Sequence, residues 1–67
     1  MKRRTWIENC TCNDGTELII FRNNDGCYEV SEYYYSDDGE TVFTGTHEQC
    51  KAFVNNRWCE IAAACIG

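Results

Sequence analysis

The sequence contains no proline, a single histidine and no long apolar run, and each absence narrows what the chain can be. A helix that spans a bilayer needs roughly 20 consecutive apolar residues, and no segment approaches that length. The residues after the basic start at 2–4 read TWIENCTCNDG, which is not the apolar core of a secretory signal. We therefore expect a cytoplasmic protein with one domain over residues 1–67 and no membrane contact.

Positive charge is also scarce. Six Lys and Arg stand against eleven Asp and Glu, which gives a net charge of −5. Between residues 13 and 48 the one basic side chain is Arg22, and the carboxylates are Asp14, Glu17, Asp25, Glu29, Glu32, Asp37, Asp38, Glu40 and Glu48. Because this stretch repels phosphate, we expect no direct binding to nucleic acid and attraction to a basic protein instead. A general gain in solubility is the other explanation for such acidity.

The chain lacks the groups from which an active site is built. His47 is its one histidine, and no second residue is placed to help it activate a cysteine nucleophile. Asp37 and Asp38 are adjacent on a turn, where water solvates both carboxylates. One helix on a small sheet rarely encloses a pocket, so we expect neither an enzyme nor a cofactor.

Cysteine, in contrast, is abundant, with six thiols at Cys10, Cys12, Cys27, Cys50, Cys59 and Cys65. Without a secretion signal, reduced structural thiols are the first interpretation, and a disulfide framework and a zinc site stay open as alternatives. Cys10-x-Cys12, and His47 three residues before Cys50, are not the paired C-x-x-C spacings of structural zinc sites, so no metal ligand is assigned. A satisfied histidine at a helix start is the preferred interpretation of His47.

The dipeptide Asp-Gly occurs three times, at 14–15, 25–26 and 38–39, each time between segments with strand preferences. It tolerates positive φ and favours the type I′ turn of a two-residue hairpin. Three such turns predict an antiparallel meander of three to four strands, at about 4–12, 16–23, 28–36 and 40–44.

A helix is predicted after the last strand, at about residues 47–65, where Thr46 and Gln49 have the spacing of a capping box. At 100° per residue its apolar stripe consists of Cys50, Phe53, Val54, Trp58, Ile61 and Cys65. Trp58 is therefore expected in the core. The predicted fold class is α+β, an antiparallel β-meander followed by one C-terminal α-helix packed on one sheet face.

Two-residue turns would also set the register, with Phe21 opposite Val30, Arg22 opposite Glu29, Tyr34 opposite Phe43 and Tyr35 opposite Val42. The helix is expected to cover the face with Phe21, Val30, Tyr34 and Phe43. Ile20, Tyr33, Tyr35 and Val42 would be left for solvent, for the N-terminal strand or for a second copy. Tyr33 and Tyr35 would then form an exposed aromatic patch beside an acidic turn, which is typical of protein contacts, although tyrosine packing on a solvated sheet is the alternative.

Two segments, TELIIFRNNDGCYEVSE at 16–32 and KAFVNNRW at 51–58, resemble parts of a small acidic phage anti-CRISPR family. That family inhibits an RNA-guided nuclease by occupying the site that reads the short motif flanking the DNA target. The resemblance implies a nucleic-acid mimic in the host cytoplasm that blocks a basic groove of a nuclease complex. Tyr33 and Tyr35 would supply contact area, and phosphates would be replaced by Asp14, Asp25, Glu29, Glu32, Asp37, Asp38 and Glu40.

Two other functional classes stay open at this point. A cysteine-rich metal-binding or redox protein would hold stoichiometric zinc or change its thiol state with function. A structural homo-oligomer, in the smallest case a homodimer, would pair the uncovered sheet faces of two copies.

Overall fold

The computed structural model describes residues 4–35 and 38–66, and of Cys65 and Ile66 it describes the backbone alone. Four strands are followed by one helix: β1 (Arg4–Thr11), β2 (Thr16–Asn23), β3 (Tyr28–Tyr34), β4 (Glu40–Gly45) and α1 (His47–Ile66). The strands form one antiparallel sheet in the order β1-β2-β3-β4, and α1 packs on it. This confirms the predicted α+β meander with one C-terminal helix. The predicted end of the third strand at residue 36, the site residue Asp37 and the Cys65 side chain lie outside the described residues.

The turn between β2 and β3 has three residues rather than the predicted two. Asn23 donates its backbone N–H to the carbonyl of Cys27 at 2.9 Å, and Gly26 donates to the Asn23 carbonyl at 3.1 Å. Gly26 has a φ of 84°, while Asp25 is not among the described residues with positive φ, so a type I′ turn is excluded. The Asn23 side chain supports this longer turn, because its Oδ1 accepts the backbone N–H groups of Asp25 at 3.0 Å and Cys27 at 3.1 Å.

The turn between β1 and β2 has the same form. Cys12 donates its backbone N–H to Thr16 at 2.7 Å, Gly15 donates to Cys12 at 3.1 Å, and Gly15 has a φ of 94°. In both turns glycine holds the left-handed position that closes a three-residue hairpin loop. The third Asp-Gly dipeptide behaves differently, since Gly39 has no positive φ and Glu32 pairs with Glu40 across a longer connection.

The extra turn residue shifts the strand register by one and corrects the predicted pairs. Ile20 lies opposite Val30, Phe21 lies opposite Glu29 rather than Val30, and Arg22 lies opposite Tyr28 rather than Glu29. Phe43 lies opposite Val30 instead of Tyr34. A shift of one residue exchanges which side chains share a face, so Ile20, predicted on the face that the helix leaves uncovered, belongs to the helix-covered face, and Phe21, predicted on the helix-covered face, lies on the other.

The hydrophobic core lies between α1 and the sheet. Its buried members are Cys12, Leu18, Ile20, Val30, Cys50 and Ile61, and the half-buried residues packed around them are Ile7, Tyr28, Phe43, Phe53 and Val54. The rings of Phe43 and Phe53 stack with centroids 4.8 Å apart, which joins β4 to the helix. The core is thin because one helix covers one face of the sheet.

Trp58 is 37% exposed, and the prediction that it belongs to the core is wrong. At 100° per residue, Arg57 and Ile61 both lie about 20° from the direction of Cys50, whereas Trp58 lies about 80° away. The middle of the stripe is therefore occupied by Arg57, a charged residue that the apolar pattern of the sequence did not include.

The helix begins with the predicted capping box. Thr46 donates its backbone N–H to Oε1 of Gln49 at 3.0 Å, and Gln49 donates its own to Oγ1 of Thr46 at 3.1 Å. Each side chain satisfies a backbone donor that has no partner within the helix. Within 4–35 and 38–66, no helix is both long and apolar enough to be a candidate for crossing a membrane.

Both outer strands contain a β-bulge. In β1 the pairing passes from Trp6 to Glu8, which leaves Ile7 as the extra residue. In β4 it passes from Phe43 to Thr41, which leaves Val42 as the extra residue. Each bulge interrupts the regular ladder of a strand that has one free edge.

Candidate acidic protein-binding surface

The meander brings two connections to one end of the sheet. The β1–β2 turn and the β3–β4 connection share this end, and the β2–β3 turn lies at the opposite end. Since β2 has eight residues, the two ends are separated by about 25 Å. We use "acidic end" for the described residues Asp14, Glu17, Glu32, Tyr34, Tyr35, Asp38 and Glu40.

Asp14 is fixed by its own turn. Its Oδ1 accepts the backbone N–H of Thr16 at 2.9 Å, and this hydrogen bond lowers the pKa of the carboxyl below the ordinary value of 3.8. Its carbonyl oxygen accepts the hydroxyl of Tyr35 at 3.1 Å, so the two connections are in contact. Asp14 therefore presents a stable negative charge at a defined position.

The three consecutive tyrosines have three different environments. Tyr34 is 58% exposed and Tyr35 is 79% exposed, with their rings edge to face and their centroids 4.6 Å apart. Tyr33 is half-buried, and its ring lies against Gly39. The prediction that Tyr34 belongs to the core is wrong. Tyr34 is the last residue of β3, two positions beyond Glu32. At Glu32 the helix already contacts the sheet through the charged Arg57 rather than through an apolar side chain.

The negative charge of Glu32 is paired with a basic residue of α1, Arg57. Nε of Arg57 lies 2.9 Å from Oε1 of Glu32, and this hydrogen bond raises the pKa of Arg57. Arg57 also lies 3.9 Å from Oε1 of Glu60. Because Glu32 faces Glu40 across the strands, the guanidinium compensates a repulsion between like charges.

Glu29 does not contribute to the acidic end. It is 4% exposed and lies on the uncovered face of the sheet, where Nη1 of Arg4 is 2.9 Å from its Oε1. The same Arg4 nitrogen donates to the Ser31 hydroxyl at 3.1 Å, and the guanidinium carbon lies 4.0 Å from the ring centre of Phe21. The bond to Glu29 raises the pKa of Arg4. Phosphate mimicry by Glu29 would require breaking this buried pair.

The nine residues predicted to bind a partner thus divide by position. Asp25 is exposed at the opposite end of the sheet, Glu29 is buried beneath Arg4, and Asp37 lies outside the described residues. The acidic end brings together Asp14, Glu32, Tyr35, Asp38 and Glu40, with Tyr33 packed behind them against Gly39. Sequence reasoning missed the exposed Tyr34 and the two compensating bases, Arg4 and Arg57. Each base lies 25 residues from its glutamate, so no local pattern signals the pair.

The described cysteines form neither a disulfide nor a metal site. Among the described side chains no disulfide is formed by Cys10, Cys12, Cys27, Cys50 and Cys59. Burial raises the pKa of the Cys12 and Cys50 thiols, which makes them poor nucleophiles. In the described part of the chain no group of three or more His, Cys, Asp or Glu residues is arranged to hold a metal ion.

His47 stacks on the ring of Tyr28, with centroids 4.7 Å apart. Its buried Nε2 lies 3.6 Å from Oε2 of Glu8, too far for a hydrogen bond, and has no other partner among the described residues. The expectation of a satisfied histidine at the helix start is therefore wrong, because the ring is held by stacking rather than by hydrogen bonds.

Comparisons with protein-family models, with curated proteins and with solved structures found no significant match. We therefore infer function from the geometry and charge of the acidic end.

Proposed function

We propose that the protein is a small acidic inhibitor whose acidic end occupies a basic, nucleic-acid-binding groove of a partner protein in the cytoplasm. The anti-CRISPR resemblance of residues 16–32 and 51–58 makes the complex of an RNA-guided nuclease the specific candidate. In this proposal the protein acts by binding alone, without catalysis or a cofactor.

The convergence of two acidic connections at one end of the sheet carries the proposal. Asp14, Asp38 and Glu40 share this end of the sheet with the exposed rings of Tyr34 and Tyr35. Carboxylates supply charge-assisted hydrogen bonds to arginine or lysine, and tyrosines supply rigid contact area. This pairing of charge with exposed aromatic surface favours a protein groove over a general effect on solubility.

The carboxylates of the acidic end face a partner from the same end of the sheet. Asp14, Asp38 and Glu40 share one end of the sheet, whereas Asp25 lies about 25 Å away, a separation of several Debye lengths of about 8 Å at physiological ionic strength. A basic groove would be steered toward the acidic end, and the association rate would fall as salt rises.

Inhibition of DNA cleavage tests the proposal directly. Purified RNA-guided nucleases loaded with guide RNA would be assayed with the wild-type protein and with two charge reversals, Glu40→Lys at the acidic end and Asp25→Lys at the opposite end. Both residues are exposed, so neither change disturbs the core. We expect inhibition of at least one nuclease by wild type and Asp25→Lys, and inhibition weakened about three- to tenfold by Glu40→Lys at low salt.

The proposal fails if no nuclease in the panel is inhibited, or if the two reversals have equal effects. Equal inhibition at 50 mM and 300 mM salt would also contradict it, because a surface that replaces phosphates must be sensitive to screening.

A second copy of the chain is the alternative partner, and one observation favours it. Trp6 is 56% exposed on the sheet face that the helix leaves uncovered, opposite Phe21. Exposed tryptophan is a frequent anchor of protein interfaces. Measurement of molecular mass against concentration, for wild type and Trp6→Ser, would detect a dimer that depends on this face.

A further inference from the structure

We infer that Tyr35 is a positioning residue that holds the start of the β3–β4 connection against the β1–β2 turn, a contact we call the lock, so that the acidic end is preformed before any partner arrives. The inference deepens the proposed function, on which its binding readout rests. Its structural readout is independent of that function.

The backbone of Tyr35 is the first observation. Its φ is 50°, and it is the one non-glycine residue in the described part of the chain with positive φ. A bulky residue adopts this left-handed conformation rarely and with strain, and it persists where surrounding contacts hold it. Burial does not supply those contacts, since the side chain is 79% exposed.

The contacts come from the neighbouring turn. The Tyr35 hydroxyl donates to the Asp14 carbonyl at 3.1 Å, and its ring lies over Gly15. A Cβ atom at Gly15 would lie 2.5 Å from the tyrosine oxygen and 2.7 Å from Cζ, so glycine is required to leave room for the ring. On its other side Tyr34 meets the ring edge to face.

The opposite end of the sheet provides an internal comparison. Gly26 has a φ of 84°, close to the 94° of Gly15, and closes the same kind of turn. A Cβ atom at Gly26 would meet nothing within 4 Å. The two glycines therefore share a backbone requirement, and Gly15 alone of this pair has the additional requirement that a tyrosine ring imposes.

The lock holds charged groups of the acidic end in defined positions. Asp14 is held by Thr16 through its carboxylate and by Tyr35 through its carbonyl. Tyr33, which packs against Gly39, holds the far side of the same connection. A preformed surface loses less conformational entropy on binding than a mobile one.

Backbone order parameters measured by NMR on the free protein test the lock. We expect rigid values of about 0.85 at Gly15 and Gly39 in the wild type. Tyr35→Phe removes the hydroxyl and should lower both values, while Tyr34→Phe, which changes no hydrogen bond shown by the structure, should leave them unchanged. Flexible values in the wild type, or values that Tyr35→Phe does not change, would overturn the inference.

The matched pair Gly15→Ala and Gly26→Ala gives a second test. Both substitutions strain the left-handed position, but Gly15→Ala alone displaces the Tyr35 ring. We expect a lowered order parameter at Gly39, which belongs to the β3–β4 connection, in Gly15→Ala and not in Gly26→Ala. Equal order at Gly39 in both variants would contradict the lock even if both are less stable than wild type.

Nuclease inhibition separates the lock from the proposed function. If both hold, Tyr35→Phe weakens inhibition about three- to tenfold with little change in its salt dependence, because charge is conserved. If Tyr35→Phe lowers the order parameters but neither wild type nor any variant inhibits a nuclease, the lock is supported and the proposed function is wrong. If Tyr35→Phe inhibits fully and its order parameters equal those of wild type, the lock is wrong and the proposed function is supported.

Discussion

Replacing Arg4 by alanine removes three contacts from the uncovered face of the sheet and isolates a buried carboxylate. The guanidinium bonds to Glu29 at 2.9 Å and to Ser31 at 3.1 Å, and it stacks over Phe21 at 4.0 Å. The Glu29 side chain is 6% exposed and that of Arg4 is 32% exposed, so water could replace the cation only in part. Removing one partner of a fully buried pair costs about 3–5 kcal/mol, and partial exposure reduces this to about 2–3 kcal/mol.

This cost is large for so small a domain. At about 0.05–0.15 kcal/mol per residue, the whole chain is stable by about 3–10 kcal/mol. We therefore expect Arg4→Ala to lower the unfolding midpoint by about 10–20 °C, measured by circular dichroism, and to reduce the urea midpoint without changing the slope.

Arg22→Ala is the matched control, since Arg22 is an exposed arginine on the adjacent strand for which the described residues show no ion pair. Its effect should stay within about 0.5 kcal/mol. The double variant Arg4→Met, Glu29→Met should recover most of the loss, because an apolar pair avoids the unpaired charge. If Arg4→Ala is as mild as Arg22→Ala and the double variant shows no coupling, Glu29 is solvated and the reasoning is refuted.

Three further measurements address the core, the turns and the thiols. Ile20→Ala should destabilise by about 2–5 kcal/mol in urea unfolding, because Ile20 is 1% exposed, and the same change at the half-buried Ile19 should cost less; equal costs would mean that the register is wrong. Asp14 has a pKa below its unfolded value, so it contributes stability that is present above about pH 4 and lost as pH falls through the lower folded pKa. Asp14→Asn should remove that part of the acid dependence while keeping the hydrogen bond, and Asp25→Asn should leave it intact. A thiol reagent should label Cys27 and Cys59 in the native protein and Cys12 and Cys50 only on unfolding; rapid native labelling of the second pair would contradict their burial.

The order of the elements was predictable because each signal is local. Turn residues separated the β-rich segments, and Thr46 with Gln49 marked the helix start within three residues. Turn length was the point at which local reasoning failed. Asp-Gly favours a two-residue loop but also fits a three-residue loop with glycine in the left-handed position, and the Asn23 side chain, with bonds to Asp25 and Cys27, supports the longer one. The extra residue in the turn shifts the register by one, which places Ile20 in the core and Phe21 on the other face.

The candidate site was predictable in part for the same reason. Asp14 and Asp38 belong to connections that any four-stranded meander brings to one end, and Glu40 begins the strand that follows the second connection, so their shared end follows from the topology. The ion pairs of Glu29 and Glu32 were not predictable, because their bases, Arg4 and Arg57, come from distant parts of the chain. Ion pairs of this kind depend on tertiary packing and leave no periodic signal in the sequence.

The bulges at Ile7 and Val42 bear on how the protein behaves when crowded. The outer strand of an open sheet offers a row of hydrogen-bonding groups to any passing chain, and long regular edges of this kind nucleate fibrils. An extra residue on each margin twists the backbone and breaks that template after a few residues. The two bulges therefore disfavour the addition of further strands at either border of the sheet.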